Sequence, residues 1–229
     1  MKVHRLPDKI AALVFDMDLT LYTSPEYGKV QIVNLISIAG KHRGLSPEEA
    51  VRDTEAARIA WAAAHNGKKP SLSNLILSWG FTMEDNVRWR ESAYEPEKYL
   101  KKDAKLHETL LALSACSLGI ITNNPVSIAK RTLVCLGIED CFDAIIGLDT
   151  LMIAKPHELP FIKIIELLKN GEKSTGKNIS AESTVSVGDR YEIDLEIPLQ
   201  MGMGAVQVDG VEDVYNLPDL LAGRICGKE

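Results

Sequence analysis

Apolar residues along this chain follow two periods. Ile10–Phe15 is an unbroken apolar run that ends abruptly in acid, the pattern of a short strand buried on both faces of a parallel sheet. Short apolar runs recur at LGIIT (118–122), DAIIG (143–147), TVSVG (184–188) and GAVQV (204–208). Between them the spacing predicts helices over Ala104–Ser114, Pro125–Leu136 and Pro160–Lys169. Strands separated by helices of this length predict an α/β fold: a Rossmann-like parallel sheet with right-handed crossovers and helices on both faces.

One block breaks the alternation. From about Glu26 to Trp89 no strand-like run occurs, and Val30, Val33, Leu35, Ile36 and Ile38 keep a helical spacing. Ser46-Pro47-Glu48-Glu49 reads as a helix start for Pro47–Ala64, with Ser as N-cap, Pro at the first position and acids in the first turn. Further helices are expected at Ser71–Trp79, ended by Gly80, and at Glu84–Tyr94. The block therefore reads as an inserted all-helical cap domain, residues 23–95, spliced into a core domain of residues 1–22 and 96–229. Trp61, Trp79 and Trp89 are expected in the interior of that cap. The polar stretch Lys169–Ser183 reads as a surface loop.

Composition narrows the partners. The 229 residues are 45% hydrophobic and 25% charged, enough for a sizeable core. A net charge of −6 without a Lys/Arg cluster argues against a nucleic-acid polymer. The N-terminus lacks the apolar stretch of a signal peptide, and no run approaches the roughly 20 residues of a membrane span, so the expectation is a cytoplasmic protein with no membrane partner. Cys116, Cys135, Cys141 and Cys226 lack metal-ligand spacing and read as core or incidental thiols. Oligomeric state is not legible.

In an open parallel sheet, ligands bind beyond the carboxyl ends of the strands. The first strand ends in Asp16-Met17-Asp18-Leu19-Thr20, the second in Thr122-Asn123-Asn124 and the last but one in Gly188-Asp189-Arg190, while Lys155-Pro156 precedes a helix. Carboxylates sharing one crevice shift toward protonation unless a cation neutralises them. Mg²⁺ suits this task, since it accepts a few carboxylate oxygens and keeps room for substrate phosphate. A bend just past Phe15, around Met17, is expected to deliver both acids to one site. Each residue also has a plainer reading: Asp16 and Asp18 as turn formers, Thr122 or, better placed, Asn124 as a helix cap, Lys155 at the surface, Asp194 as an N-cap. Arg190, Asn123 and Tyr22 are divided between substrate contact and surface.

Taken in order, DMDLT, TNN, AKP and GDRYEID resemble the motifs of the haloacid dehalogenase-like superfamily: DxDx[TV], Ser/Thr, Lys and GDxxxxD. The helical insert after the first motif matches that family's layout. The resemblance implies a Mg²⁺-dependent phosphatase that hydrolyses a small soluble phosphomonoester, of nucleotide, sugar-phosphate or phosphoglycolate type, through an aspartyl-phosphate. It implies Asp16 as nucleophile, Asp18 as acid and then base, and Thr122, Asn123 and Lys155 as binders of the substrate phosphate. Asp16, Asp18 through its backbone carbonyl, and Asp189 would hold the metal, with Asp194 in a supporting position or as a further ligand. Asp18 separates this branch from the dehalogenases, which lack it. The DMDLTLY start resembles the subgroup containing pyrimidine 5′-nucleotidases. Pro198 and Met201 stand where the family usually carries small Ala residues, a matter of packing. Two alternatives use the same pocket: a sugar phosphomutase, and a non-catalytic phosphometabolite-binding regulator. A glycosyltransferase DxD site would leave the Thr, Lys and GD motifs unexplained.

Overall fold

The computed structural model describes residues 1–171 and 178–225. Six strands form one sheet in the order β1-β6-β5-β2-β3-β4. These are β1 (Lys2–Arg5), β2 (Ala12–Phe15), β3 (Ser117–Ile121), β4 (Ala144–Ile146), β5 (Thr184–Gly188) and β6 (Gly204–Gln207). All neighbours pair in parallel except β1, which lies antiparallel on β6 at the edge. β1 was not predicted, because its KVHR sequence is mostly exposed and carries no apolar run.

β2 lies in the middle, and alternate side chains serve opposite faces as the strand period requires. Leu13 and Phe15 join Leu106 and Leu110 of α5 (Ala104–Ala112) and Leu133 of α6 (Val126–Leu136). Ala12 and Val14 join Phe161, Ile164 and Leu168 of α8 (Glu158–Asn170), which follows the short α7 (Leu148–Leu151). Each fully buried Leu or Phe contributes about 1.5–3 kcal/mol, so the strand is anchored from both sides. Its carboxyl end is held in place accordingly.

The helical insert follows β2: α1 (Pro25–His42), α2 (Pro47–Ala64), α3 (Leu72–Ser78) and α4 (Met83–Ala93). α2 has the predicted boundaries, and Ser46 and Glu49 cap its start reciprocally at 3.3 and 2.8 Å. Leu35, Ala39, Ile76, Trp89 and Tyr94 form the insert's apolar cluster, completed by Ile128 from α6. Trp89 is buried there and Trp79 packs against it, but Trp61 is half-buried and stacks on His65 at 4.2 Å. A one-turn spacing on α2 pairs those two rings with each other rather than with the interior.

After β5 the chain makes a widened helical turn, Tyr191–Leu195, before α9 (Glu196–Gln200). Pro198 is buried and Met201 packs against the α8-side core. The expected loop at 169–183 falls partly outside the described residues, as does Cys226; Cys116 and Cys141 are buried in the core and Cys135 packs against it. Among the described residues no helix is long and apolar enough to cross a membrane.

Candidate active site

The β2 ladder extends one residue past Phe15, where the Asp16 amide donates to the Val187 carbonyl at 2.8 Å. The chain then folds back, the Thr20 and Leu21 amides donating to Met17 O at 3.3 and 2.9 Å. Leu19 closes the turn at φ +61°, a left-handed conformation that costs an L-residue about 1–2 kcal/mol. The bend therefore lies where the sequence suggested, and it places Asp16 and Asp18 in different surroundings.

Lys155 enters from the segment before α8. Its Nζ donates to Asp16 Oδ1 at 2.7 Å, Asp194 Oδ1 at 2.7 Å and Ile121 O at 2.8 Å. Three acceptors match the three protons of an ammonium. Burial pulls the Lys155 ammonium down, but the charges of Asp16 and Asp194 outweigh it and hold its pKa above the usual lysine value. The Asn123 side chain fixes the same lysine from behind, accepting from Lys155 N at 2.7 Å and donating to Lys155 O at 3.1 Å. That amide, expected to face phosphate, is occupied by the backbone of Lys155.

Asp194 is both a ligand for Lys155 and a brace for the loop: its Oδ2 accepts from Arg190 N at 3.1 Å. Gly188 allows this approach, since a Cβ there would stand 2.4 Å from the Asp194 Cβ. Asp194 sits in the widened turn, so the plain N-cap reading is not what the chain does.

Carboxylate oxygens of Asp16, Asp189 and Asp194 all lie within 4.8 Å of one another. Burial is the main cause that lifts the Asp16 carboxyl to about 7, opposed by Lys155 and reinforced by the other acids. Burial likewise lifts Asp189 to about 6. Asp189 Oδ1 is buried without a hydrogen-bond partner, and Arg190 Nε stands 3.7 Å away, beyond hydrogen-bond range. An orphaned carboxylate oxygen beside two more acids is an all-oxygen donor set, which fits a hard divalent cation. Asp194 joins this carboxylate cluster as the third acid, and the Asp18 carboxylate points into other contacts, leaving its backbone carbonyl as the group expected to face the cation.

Asp18 Oδ1 accepts from Tyr22 OH and from Gln31 Nε2, the latter at 3.4 Å, and its Oδ2 accepts from Asn124 Nδ2 at 2.7 Å. Tyr22 is thus a buried partner of Asp18 rather than a surface residue. Asn124 does not cap α6, because Asp149 Oδ1 takes the Val126 amide at 2.8 Å. Its Oδ1 instead accepts from Arg90 Nη1 of α4 at 2.8 Å. Thr122 is buried at the end of β3, and its Oγ1 accepts from Asn124 N at 3.1 Å. His157 caps α8 through Nδ1, at 3.1 Å from Leu159 N.

Gln31 and Arg90 were not singled out from sequence, and neither belongs to a strand-end motif. Asn124, in TNN beside the predicted site, reads from sequence only as a helix cap. The structure brings Asp16, Lys155, Asp189 and Asp194 into one cluster and sets Asp18, held by Asn124, beside it.

Residues 13–208 match the family model of haloacid dehalogenase-like hydrolases. A glyceraldehyde 3-phosphate phosphatase of Methanocaldococcus jannaschii is 27% identical over 217 residues, covering 87% of this chain and 85% of that one. A phosphoglycolate phosphatase of Yersinia pestis is 28% identical over 161 residues, covering 68% and 66%. Among solved structures, a HAD phosphatase from Thermococcus onnurineus superposes with a TM-score of 0.61 at 21% identity, covering 94% of this chain and 99% of that one. With a family match running from β2 through β6, and so across the insert and all four motifs, this chain belongs to the haloacid dehalogenase-like hydrolases.

Proposed function

We propose that this protein is a Mg²⁺-dependent phosphatase of small phosphomonoesters, with residues 23–95 as its cap and residues 1–22 and 96–229 as its core. The observation that carries the reading is the single cluster at the strand ends in which Lys155 bridges Asp16 and Asp194 beside the unpartnered Asp189 oxygen.

Asp16 attacks phosphorus in line, forming an acyl-phosphate bond as the bond to the leaving oxygen breaks. Asp18 gives its proton to that oxygen. As a carboxylate it then takes a proton from the water that attacks the phosphoenzyme, releasing phosphate and restoring Asp16. Thr122 faces the phosphoryl oxygens. Lys155, held by Asn123, places its positive charge beside the Asp16 oxygen and the incoming phosphoryl group, turning a proton toward the latter as it binds. Both offset the repulsion between two anions. Asp16, Asp189 and the Asp18 backbone carbonyl would hold the cation, with Asp194 supporting Lys155. When bound, the cation supplies positive charge to carboxylate and phosphoryl oxygen alike.

The two relatives described above are named for glyceraldehyde 3-phosphate and phosphoglycolate, which supports a short acyclic substrate. Neither is a nucleotidase, so the comparisons lend no support to the pyrimidine 5′-nucleotidase subgroup.

A panel of glyceraldehyde 3-phosphate, 2-phosphoglycolate, a hexose phosphate and UMP, ranked by kcat/KM with Mg²⁺, tests the substrate class; preference for UMP would reverse it. Asp16→Asn should fold normally and lower kcat by more than about a thousandfold. Retained turnover would remove Asp16 as nucleophile. In ¹⁸O-labelled water, label in the released phosphate marks hydrolysis; isomerised, unlabelled sugar phosphate would mark a phosphomutase. Saturable binding without turnover would mark a regulator.

A further inference from the structure

Arg90 is 6% exposed, yet all its hydrogen-bond partners are neutral. It donates to Asn86 Oδ1 at 2.9 Å, Tyr94 OH at 3.2 Å and Ser73 Oγ at 3.4 Å within the insert, and to Asn124 Oδ1 at 2.8 Å in the core. Burying a cation among neutral groups is costly, and an apolar side chain would fill the same space. Mere packing does not call for a guanidinium here.

Asn124 shows what the guanidinium does. Arginine offers only donors, and a carboxylate offers only acceptors. Between them stands one amide, its Oδ1 on Arg90 and its Nδ2 at 2.7 Å from Asp18 Oδ2. Only one orientation of that amide satisfies both neighbours. With a neutral apolar residue at position 90 the amide can turn over, setting its carbonyl against the carboxylate.

We infer that Arg90 is a positioning residue for Asp18, acting through the Asn124 amide whose orientation it fixes. The inference rests on the reading of Asp18 as proton donor to the leaving group. Tyr22 and Gln31 hold the other Asp18 oxygen, so Asn124 is what aligns Oδ2.

The test compares kcat/KM, which covers the steps through phosphoenzyme formation, for 2-phosphoglycolate and for p-nitrophenyl phosphate. The alkoxide needs a proton to leave, whereas p-nitrophenolate does not. Arg90→Met is expected to lose about tenfold more on 2-phosphoglycolate than on the aryl ester. Arg90→Lys, which keeps a donor toward Asn124, should recover most of the difference. Asn124→Ala removes the same link from the core side and should reproduce the selective loss, so the test survives if Arg90→Met fails to fold. In an Asp18→Asn background Arg90→Met should cost less than about twofold on either substrate. Equal losses on both esters, or full additivity with Asp18→Asn, would overturn the inference and leave the phosphatase reading intact. If another alkyl ester of the panel is the better substrate it takes the place of 2-phosphoglycolate, and a wild-type protein that releases phosphate from no ester of the panel overturns that reading and this inference with it.

Discussion

Lys155 Nζ sits 2.7 Å from Asp16 Oδ1, and the two side chains are only 2% and 4% exposed. Removing the cation from such a pair leaves a buried charge without its partner, and here it leaves two, since Asp194 depends on the same ammonium. Lys155→Met is expected to destabilise the protein by about 3–5 kcal/mol, read from urea denaturation. A change below about 1 kcal/mol would show that the acids relax into protonated, hydrogen-bonded forms at little cost.

The raised carboxyls of Asp16, near 7, and Asp189, near 6, give stability a sign with pH. The folded protein holds these protons more tightly than the unfolded chain. Their contribution is therefore complete below the ordinary carboxylate range and is lost as pH rises through about 6 to 7. Metal-free protein should lose Tm from about pH 4 to about pH 7 and level off above it, and Mg²⁺ should flatten the slope. Cation binding should also displace protons and strengthen with pH. Calorimetry in two buffers of different ionisation enthalpy measures that release; a pH-independent, proton-neutral binding would contradict it.

Asn123 holds Lys155 through both of its peptide groups, so Asn123→Ala is expected to cost about 1–3 kcal/mol and to lower kcat more than it raises KM. Inhibition by inorganic phosphate separates this from direct phosphate binding. An unchanged inhibition constant supports the bracing role, and a large rise would assign the amide to phosphate instead.

Gly188 and Gly28 make a matched pair. A Cβ at Gly188 meets Asp194 at 2.4 Å, whereas one at Gly28, inside α1, meets nothing within 4 Å. Gly188→Ala should destabilise by about 1–3 kcal/mol and reduce turnover through displaced Asp194. Gly28→Ala should stabilise by about 0.5–1 kcal/mol and leave turnover alone. Thermal melts of both variants decide the matter.

The strands that bound the site were legible because Ile10–Phe15 is apolar on both faces and TVSVG alternates valine with small hydroxyl residues, each against polar flanks. β1 did not, since an exposed edge strand has no apolar period to detect. α2 was readable to the residue because Ser46, Pro47 and Glu49 act within one turn. The acids and Lys155 were found through four motifs in order, and a supporting contact from Asp194 to Lys155 was among the roles expected for that acid. What was not legible is the backbone that delivers it: Asp194 was expected to open a regular helix, and it lies inside the widened turn at Tyr191–Leu195. Asn124 looked like a cap because local geometry favoured it; its actual partners come from 34 and 106 residues away in the chain. Contacts of that span leave no periodic trace. Arg90 in particular looks like any surface arginine until α4 is laid against the core.

Ile128 belongs to α6, but it packs within the cluster of the helical insert, beside Leu35, Ile76 and Trp89. The insert thus borrows part of its interior from the body it covers. Anyone who transplants these helices onto another hydrolase to alter its selectivity would have to carry a matching landing residue with them, or accept a hole beneath the graft.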